Sequence, residues 1–86
     1  MLQNAAVIRH YQKLTDSMVE MWERGYRSDD LRLFIDGYLA ALKVANTVEA
    51  FHIHRLEEET MRFLYDPSNF ESAQPQVQRQ LDRRYY

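Results

Sequence analysis

Two histidines and a run of acidic residues are the side chains in this sequence best suited to bind a metal ion. His52 and His54 are two residues apart in a predicted helix, so they point about 200° away from each other and cannot share one ion. His54 and Glu58 are four residues apart and could supply two ligands, but a stable site needs a third, which the sequence does not place. We therefore interpret both histidines as surface residues and expect no metal ion and no cofactor.

The remaining reactive residues do not form a recognisable catalytic motif. The chain lacks a Gly-rich phosphate loop, a Gly-x-Ser-x-Gly motif and a His-Glu-x-x-His motif. It contains no cysteine, which excludes thiolate nucleophiles and cysteine-ligated zinc or iron–sulfur clusters. His10 lies at the margin of the first apolar helix face, where we expect a partly buried, hydrogen-bonded side chain. The sequence therefore predicts a protein that is not an enzyme.

Three predicted helices carry these residues. The chain of 86 residues has only two glycines and two prolines, and its apolar residues recur at three- and four-residue spacing, which predicts helices over residues 4–24, 28–45 and about 48–65. Short connections between them favour an all-α, antiparallel three-helix bundle. The residues expected to face its core are Val7, Tyr11, Leu14, Met18, Met21, Trp22, Leu31, Phe34, Ile35, Tyr38, Leu39, Leu42, Ala45, Ala50, Ile53, Leu56, Thr60, Met61, Phe63 and Leu64.

Residues that commonly end or cap helices separate the three segments. We expect Gly25 to end the first helix in a left-handed conformation, Asn46 to end the second, and Thr47 to cap the third. Pro67 disfavours a helical conformation in the residue before it and so ends the third helix. Phe70 could fold back onto the core.

The second predicted helix is apolar on two sides. Opposite the core-facing residues lies a second apolar set, spaced four, three and four residues apart: Leu33, Gly37, Ala40 and Val44. The polar residues of this helix occupy a narrow stripe formed by Arg32, Asp36 and Lys43. A helix that is apolar on nearly all sides must be covered on nearly all sides. The second face is therefore either a surface for a partner, or it is covered because the helix is central in the bundle or packs under the tail.

The C-terminal segment differs in composition from the helical part. We predict a three-helix domain over residues 1–70 and a tail over residues 71–86 that is disordered when free, because it is rich in Gln and Arg and poor in core residues. Leu81 and Tyr85 are four residues apart beside Arg83 and Arg84, so a short amphipathic helix could form on a partner. The alternative is a tail that only increases solubility.

Several segments resemble a known family. They are Val7-Ile8-Arg9-His10-Tyr11-Gln12, Asp36-Gly37-Tyr38, and His54 to Glu59 followed by Phe63-Leu64-Tyr65-Asp66-Pro67-Ser68-Asn69-Phe70. Over roughly residues 1–70 the chain resembles a family of small cyanobacterial proteins catalogued as a domain of unknown function. The resemblance implies a cytosolic protein of a photosynthetic bacterium, working near thylakoid components, and supplies no catalytic residues.

These observations favour a non-enzymatic interaction or accessory protein, which forms a homodimer or docks onto a larger protein complex. The alternative is a small regulatory nucleic-acid-binding protein. A net charge of −2 argues against it, because phosphate binding usually requires an excess of basic residues. No stretch is long and apolar enough to cross a bilayer, and the N-terminus lacks the pattern of a secretory signal, so we expect a cytoplasmic protein without membrane insertion.

Overall fold

The computed structural model describes residues 4–71 of the chain and confirms the all-α prediction. Its helices, in chain order, are α1 (Ala5–Glu23), α2 (Ser28–Ala45), α3 (Ala50–Leu64) and the short α4 (Ser68–Glu71). The three long helices pack together as a bundle, and residues 4–71 contain no strand.

Local hydrogen bonds define both ends of α1. The side-chain oxygen of Asn4 accepts hydrogen bonds from the backbone N–H groups of Ala6 and Val7, at 2.9 and 3.2 Å. Amide groups in the first turn have no partner within the helix, so this cap stabilises its beginning. Gly25 adopts the predicted left-handed conformation with φ of 104°, and the N–H of the next residue bonds back to the carbonyl of Met21 at 3.0 Å. This pattern is a Schellman motif.

The ends of α2 and α3 agree with the predictions only in part. Asn46 has φ of 56° and ends α2 in the left-handed conformation, as predicted. The residue before α2 is Arg27, whose backbone N–H donates to the carboxylate of Asp30 at 3.0 Å. The prediction that Thr47 caps the third helix is wrong, because α3 begins at Ala50 and its N-cap residue is Glu49.

The central helix is α3, not α2. Contacts between α3 and each of α1 and α2 are more extensive than those between α1 and α2. The core residues come from one side of each helix: Val7, Leu14, Met18, Leu31, Ile35, Leu39, Leu42, Ile53, Leu56, Leu64 and Phe70. Thr60 is also fully buried, and its hydroxyl donates to the carbonyl of Leu56 at 2.6 Å. The predictions that Ala45 and Ala50 face the core are wrong, since both are exposed.

The segment after α3 folds back onto the bundle. The carboxylate of Asp66 accepts hydrogen bonds from the backbone N–H and the hydroxyl of Ser68, which begins α4. The side-chain amide of Asn69 donates to the carbonyl of Phe63 at 2.9 Å, close to the end of α3. These bonds direct Phe70 into the core, where only 3% of its surface is exposed. The expectation that Phe70 folds back is thus confirmed.

Candidate interaction surface

The second apolar side of α2 is open to solvent. Leu33 and Val44 are 73% and 86% exposed, and Gly37 and Ala40 between them are exposed as well. We call these four residues the outer face of α2. The core side chains of the same helix lie about half a turn away around its axis: Leu31, Ile35, Leu39 and Leu42. Since α2 is not the central helix, no other part of residues 4–70 buries the outer face.

Among the residues that the structure describes, Gly37 has no role that requires a glycine. A Cβ atom placed on Gly37 would meet nothing within 4 Å, so packing inside the bundle does not exclude a larger residue. Its φ is not positive, so the backbone conformation does not require glycine either. A glycine inside a helix destabilises it by roughly 1 kcal/mol relative to alanine. The described part of the chain therefore gives no internal reason for this cost.

Charged side chains line one edge of the outer face. Asp36 pairs with Arg32 at 3.5 Å, and a guanidinium nitrogen of Arg32 donates to the hydroxyl of Tyr65 on α3 at 3.3 Å. The pKa of Arg32 is raised above its ordinary value, mostly by the hydrogen bond to Tyr65 and to a smaller extent by the Asp36 carboxylate. Lys43 makes no ion pair or side-chain hydrogen bond with any residue of the described segment. The edge thus carries one engaged pair and one available ammonium group.

A polar pair joins α1 to α2 on the other side of the helix. His10 Nδ1 lies 2.8 Å from the Tyr38 hydroxyl, and the two rings meet edge to face at 5.7 Å. Both side chains are half-buried, which confirms the interpretation of His10 as a partly buried, hydrogen-bonded residue. Burial raises the pKa of Tyr38. Sequence reasoning did not find Tyr38 as the partner, because helical periodicity does not show which residues of two helices meet.

The two α3 histidines point to separate acidic neighbours. His52 Nε2 lies 3.7 Å from Glu49, and His54 Nε2 lies 3.6 Å from Glu58. Over residues 4–71, no group of three or more His, Asp or Glu side chains is arranged to hold a metal ion. The structure therefore places His54 beside Glu58, as their spacing predicts, but residues 4–71 supply no third ligand to that pair.

Two shallow depressions flank the C-terminal end of α3. The larger, of about 610 Å³, is lined by Glu58, Met61, Arg62, Tyr65, Asp66 and Pro67. The smaller, of about 200 Å³, is lined by Tyr11, Glu59, Arg62, Phe63, Asp66 and Asn69. Arg62, which is common to both, is bonded to Glu59 at 2.9 Å, and Asp66 is engaged in capping α4. The shared polar groups are thus already paired with residues of the chain itself.

The second predicted contact segment lies outside the described residues. It comprises Leu81, Arg83, Arg84 and Tyr85.

Comparison with known proteins identifies the family. A family profile described as a family of unknown function, DUF6761, matches residues 1–86. The chain belongs to this family. The DUF6761 match extends over the C-terminal segment, beyond the residues that carried the resemblance in the sequence. No curated protein and no solved structure matches the chain. Among the helices of the described segment, none has the length and apolar character needed to span a membrane.

Proposed function

We propose that this DUF6761 protein is a non-enzymatic interaction module, which uses the outer face of α2 to dimerise or to dock onto a larger protein complex. The observation that carries the proposal is the exposure of Leu33 and Val44 on a helix whose opposite side is already buried in the core. Single exposed apolar residues are common on soluble proteins and need no explanation. Two of them aligned on one face, with only Gly37 and Ala40 between them, form a continuous apolar strip on which a partner helix can pack closely.

The edge of the outer face favours a protein partner over a nucleic acid. Exposed carboxylates lie near it at Asp29, Asp30 and Asp36, against the basic side chains of Arg32 and Lys43. Nucleic-acid binding depends on neutralising phosphates with basic groups, so this distribution supports it poorly. A fluorescence-anisotropy titration with mixed DNA and RNA at low salt tests the alternative, and we expect no saturable binding.

The proposal extends to the C-terminal segment and to the cellular location. Leu81 and Tyr85, with Arg83 and Arg84, would give a second contact, because aromatic and arginine side chains are favoured at the centre of interfaces. A cyanobacterial source and a cytoplasmic location are supported by the resemblance of the three sequence segments given above. These two points rest on the sequence alone.

Two matched arginine variants test the outer face. Ala40→Arg places a charge and a long side chain within it, whereas Ala45→Arg makes the same change on the same helix, about 140° around the axis. Both alanines are exposed, so both variants should keep the fold. We expect affinity capture from a cyanobacterial lysate, together with light scattering for self-association, to give the same partner for wild type and Ala45→Arg and to lose it for Ala40→Arg. A partner retained equally by all three proteins would contradict the proposal.

A further inference from the structure

The outer face of α2 shows the same order of residue sizes and spacings in either direction along the helix. Its spacing of four, three and four residues is symmetric, with large residues at the ends, Leu33 and Val44, and small residues in the middle, Gly37 and Ala40. A dyad that pairs two copies of the helix in opposite directions would place each large residue against the other large residue, and each small residue against the other small residue. Self-complementarity of this kind is what a two-fold symmetric interface requires.

We infer that the occupant of the outer face is a second copy of this chain, with the two α2 helices antiparallel about a two-fold axis. This inference rests on the proposed function, since it names the partner for the same face. Leu33 then lies opposite Val44 of the second copy, and Gly37 lies opposite Ala40 of the second copy. The axis passes at the level of the bond between residues 38 and 39.

The unexplained glycine supports close contact at the centre of this pair. None of residues 4–71 fills the space beside Gly37, yet the glycine weakens the helix. With glycine facing alanine near the two-fold axis, the helix axes can approach more closely than they could with larger side chains. Leu33 and Val44 then reach across at both ends and cover the small residues from water.

Charge complementarity along the edge supports the antiparallel direction. A two-fold axis perpendicular to the helices keeps the same edge of both copies on one side, so Lys43 lies level with the gap between Asp36 and Arg32 of the second copy, each offset by about 3 Å along the axis. Asp36 is about 40° nearer to the outer face than Arg32, which is bonded to Tyr65, so the carboxylate is the closer group. Lys43 has no partner in the described chain, and the Asp36 carboxylate is held only by Arg32 at 3.5 Å. Symmetry makes two such ion pairs.

A parallel pair would instead be opposed by charge. Asp29 and Asp30 are exposed at the N-terminal end of α2, one on either side of the outer face. In a parallel pair, four carboxylates would crowd together at one end, and the two helix dipoles would be aligned. In the antiparallel pair, these residues are at opposite ends of the interface.

Cysteine cross-linking tests the partner and the direction at once, because the chain has no cysteine of its own. Leu33→Cys and Val44→Cys are prepared as separate proteins, and each alters an exposed side chain outside the core. In the antiparallel pair, like positions are about 16 Å apart along the axis, whereas residue 33 of one copy faces residue 44 of the other. A disulfide requires Cα atoms within about 7 Å. Only an equimolar mixture of the two proteins should therefore form a cross-linked dimer under mild oxidation, and either protein alone should lose that product.

Each other outcome contradicts the inference in a different way. Cross-linking of each single variant with itself would show a parallel pair and would leave the proposed function standing. A wild-type chain that stays monomeric at about 0.5 mM would exclude the second copy, because at that concentration even a dimer with a Kd of about 1 mM is measurably populated. If a chain ending at Glu71 then dimerises, the occupant is the C-terminal segment. If capture of another protein is lost with Ala40→Arg, the proposed function survives with a different partner. If the shortened chain stays monomeric and no protein is captured, both the inference and the proposed function fail.

Discussion

The indole ring of Trp22 and the phenyl ring of Phe70 lie 4.8 Å apart, inclined by 30° to each other. The ring of Phe63 lies 5.7 Å from that of Phe70 and is nearly perpendicular to it. The guanidinium carbon of Arg27 lies 4.2 Å above the Trp22 ring, in a cation–π arrangement. One aromatic side chain from α4 thus connects the end of α1 to the end of α3.

Replacing Phe70 with alanine should strongly destabilise the bundle. Removal of a fully buried phenylalanine costs about 3–5 kcal/mol, a large share of the total stability of a domain this small. Trp22 is the only tryptophan, so its fluorescence reports directly on the loss of the Phe70 ring. We expect the Trp22 emission to shift to longer wavelength and the urea midpoint to fall sharply.

A matched control for this prediction is Phe51→Ala. Phe51 is 68% exposed, so the same substitution there should change the free energy of unfolding by less than about 1 kcal/mol. Phe70→Leu, which keeps most of the volume, should lose much less stability than Phe70→Ala. Equal urea midpoints for Phe70→Ala and Phe51→Ala would show that α4 does not belong to the core.

Periodicity and capping residues predicted the helices well. The apolar spacing predicted three helices, and the left-handed conformations of Gly25 and Asn46 followed from local backbone preferences. The start of α3 was missed because both Thr47 and Glu49 precede an apolar run, and local sequence does not distinguish between them. Ala45 and Ala50 were misplaced because alanine fits either side of a helix.

The sequence did not predict which helices pack against each other. An apolar stripe shows that a face is covered, but not by which helix, so the central position of α3 and the pairing of His10 with Tyr38 could not be predicted. The outer face of α2 was visible as a pattern. Its exposure depends on where α2 lies in the bundle, which only the structure shows.

Stability should fall in alkaline solution because of Tyr11. Burial raises the pKa of Tyr11 above its ordinary value of 10.0, the Glu59 carboxylate raises it further, and Arg62 partly opposes the shift. Above pH 10 the unfolded chain therefore loses the phenol proton before the folded chain does. This contribution to stability is complete below pH 10 and is lost as pH rises through the folded-state pKa. Urea melts between pH 8 and 11 should show a smaller decline for Tyr11→Phe than for wild type, and equal declines would contradict the assignment.

Gly37→Ala should separate the stability of the monomer from association. In the dilute protein, the substitution should stabilise the fold by roughly 0.5–1 kcal/mol, because the new methyl group meets open space and alanine favours the helix. In the concentrated protein, the methyl group should weaken the antiparallel contact. Urea melts at micromolar concentration and sedimentation at high concentration measure the two effects. A stabilised variant that associates as well as wild type would show that close approach at residue 37 is not needed.

Removing residues 72–86 should leave the fold intact. Within residues 4–71 the side chains up to Phe70 already form a continuous core. Few residues of the tail are apolar, so their burial could hardly offset the roughly 1–2 kcal/mol of backbone entropy per ordered residue. A chain ending at Glu71 should keep its helical circular dichroism and melt within a few degrees of the full chain. A shift of that size corresponds to a change of about 1 kcal/mol or less in the free energy of unfolding. A much larger fall in melting temperature would mean that the tail stabilises the bundle.

The most direct test of the outer face is the molar mass of Ala40→Arg across a concentration series, measured by light scattering beside wild type and Ala45→Arg. We expect wild type and Ala45→Arg to rise from the chain mass of 10.4 kDa towards twice that value. Ala40→Arg should stay at the chain mass with its helicity unchanged, because its dimerisation is weakened about tenfold or more by an unpaired charge in an apolar contact. A mass curve for Ala40→Arg that follows wild type would contradict the assignment of this face to association, and unfolding of Ala40→Arg would show that the face is interior.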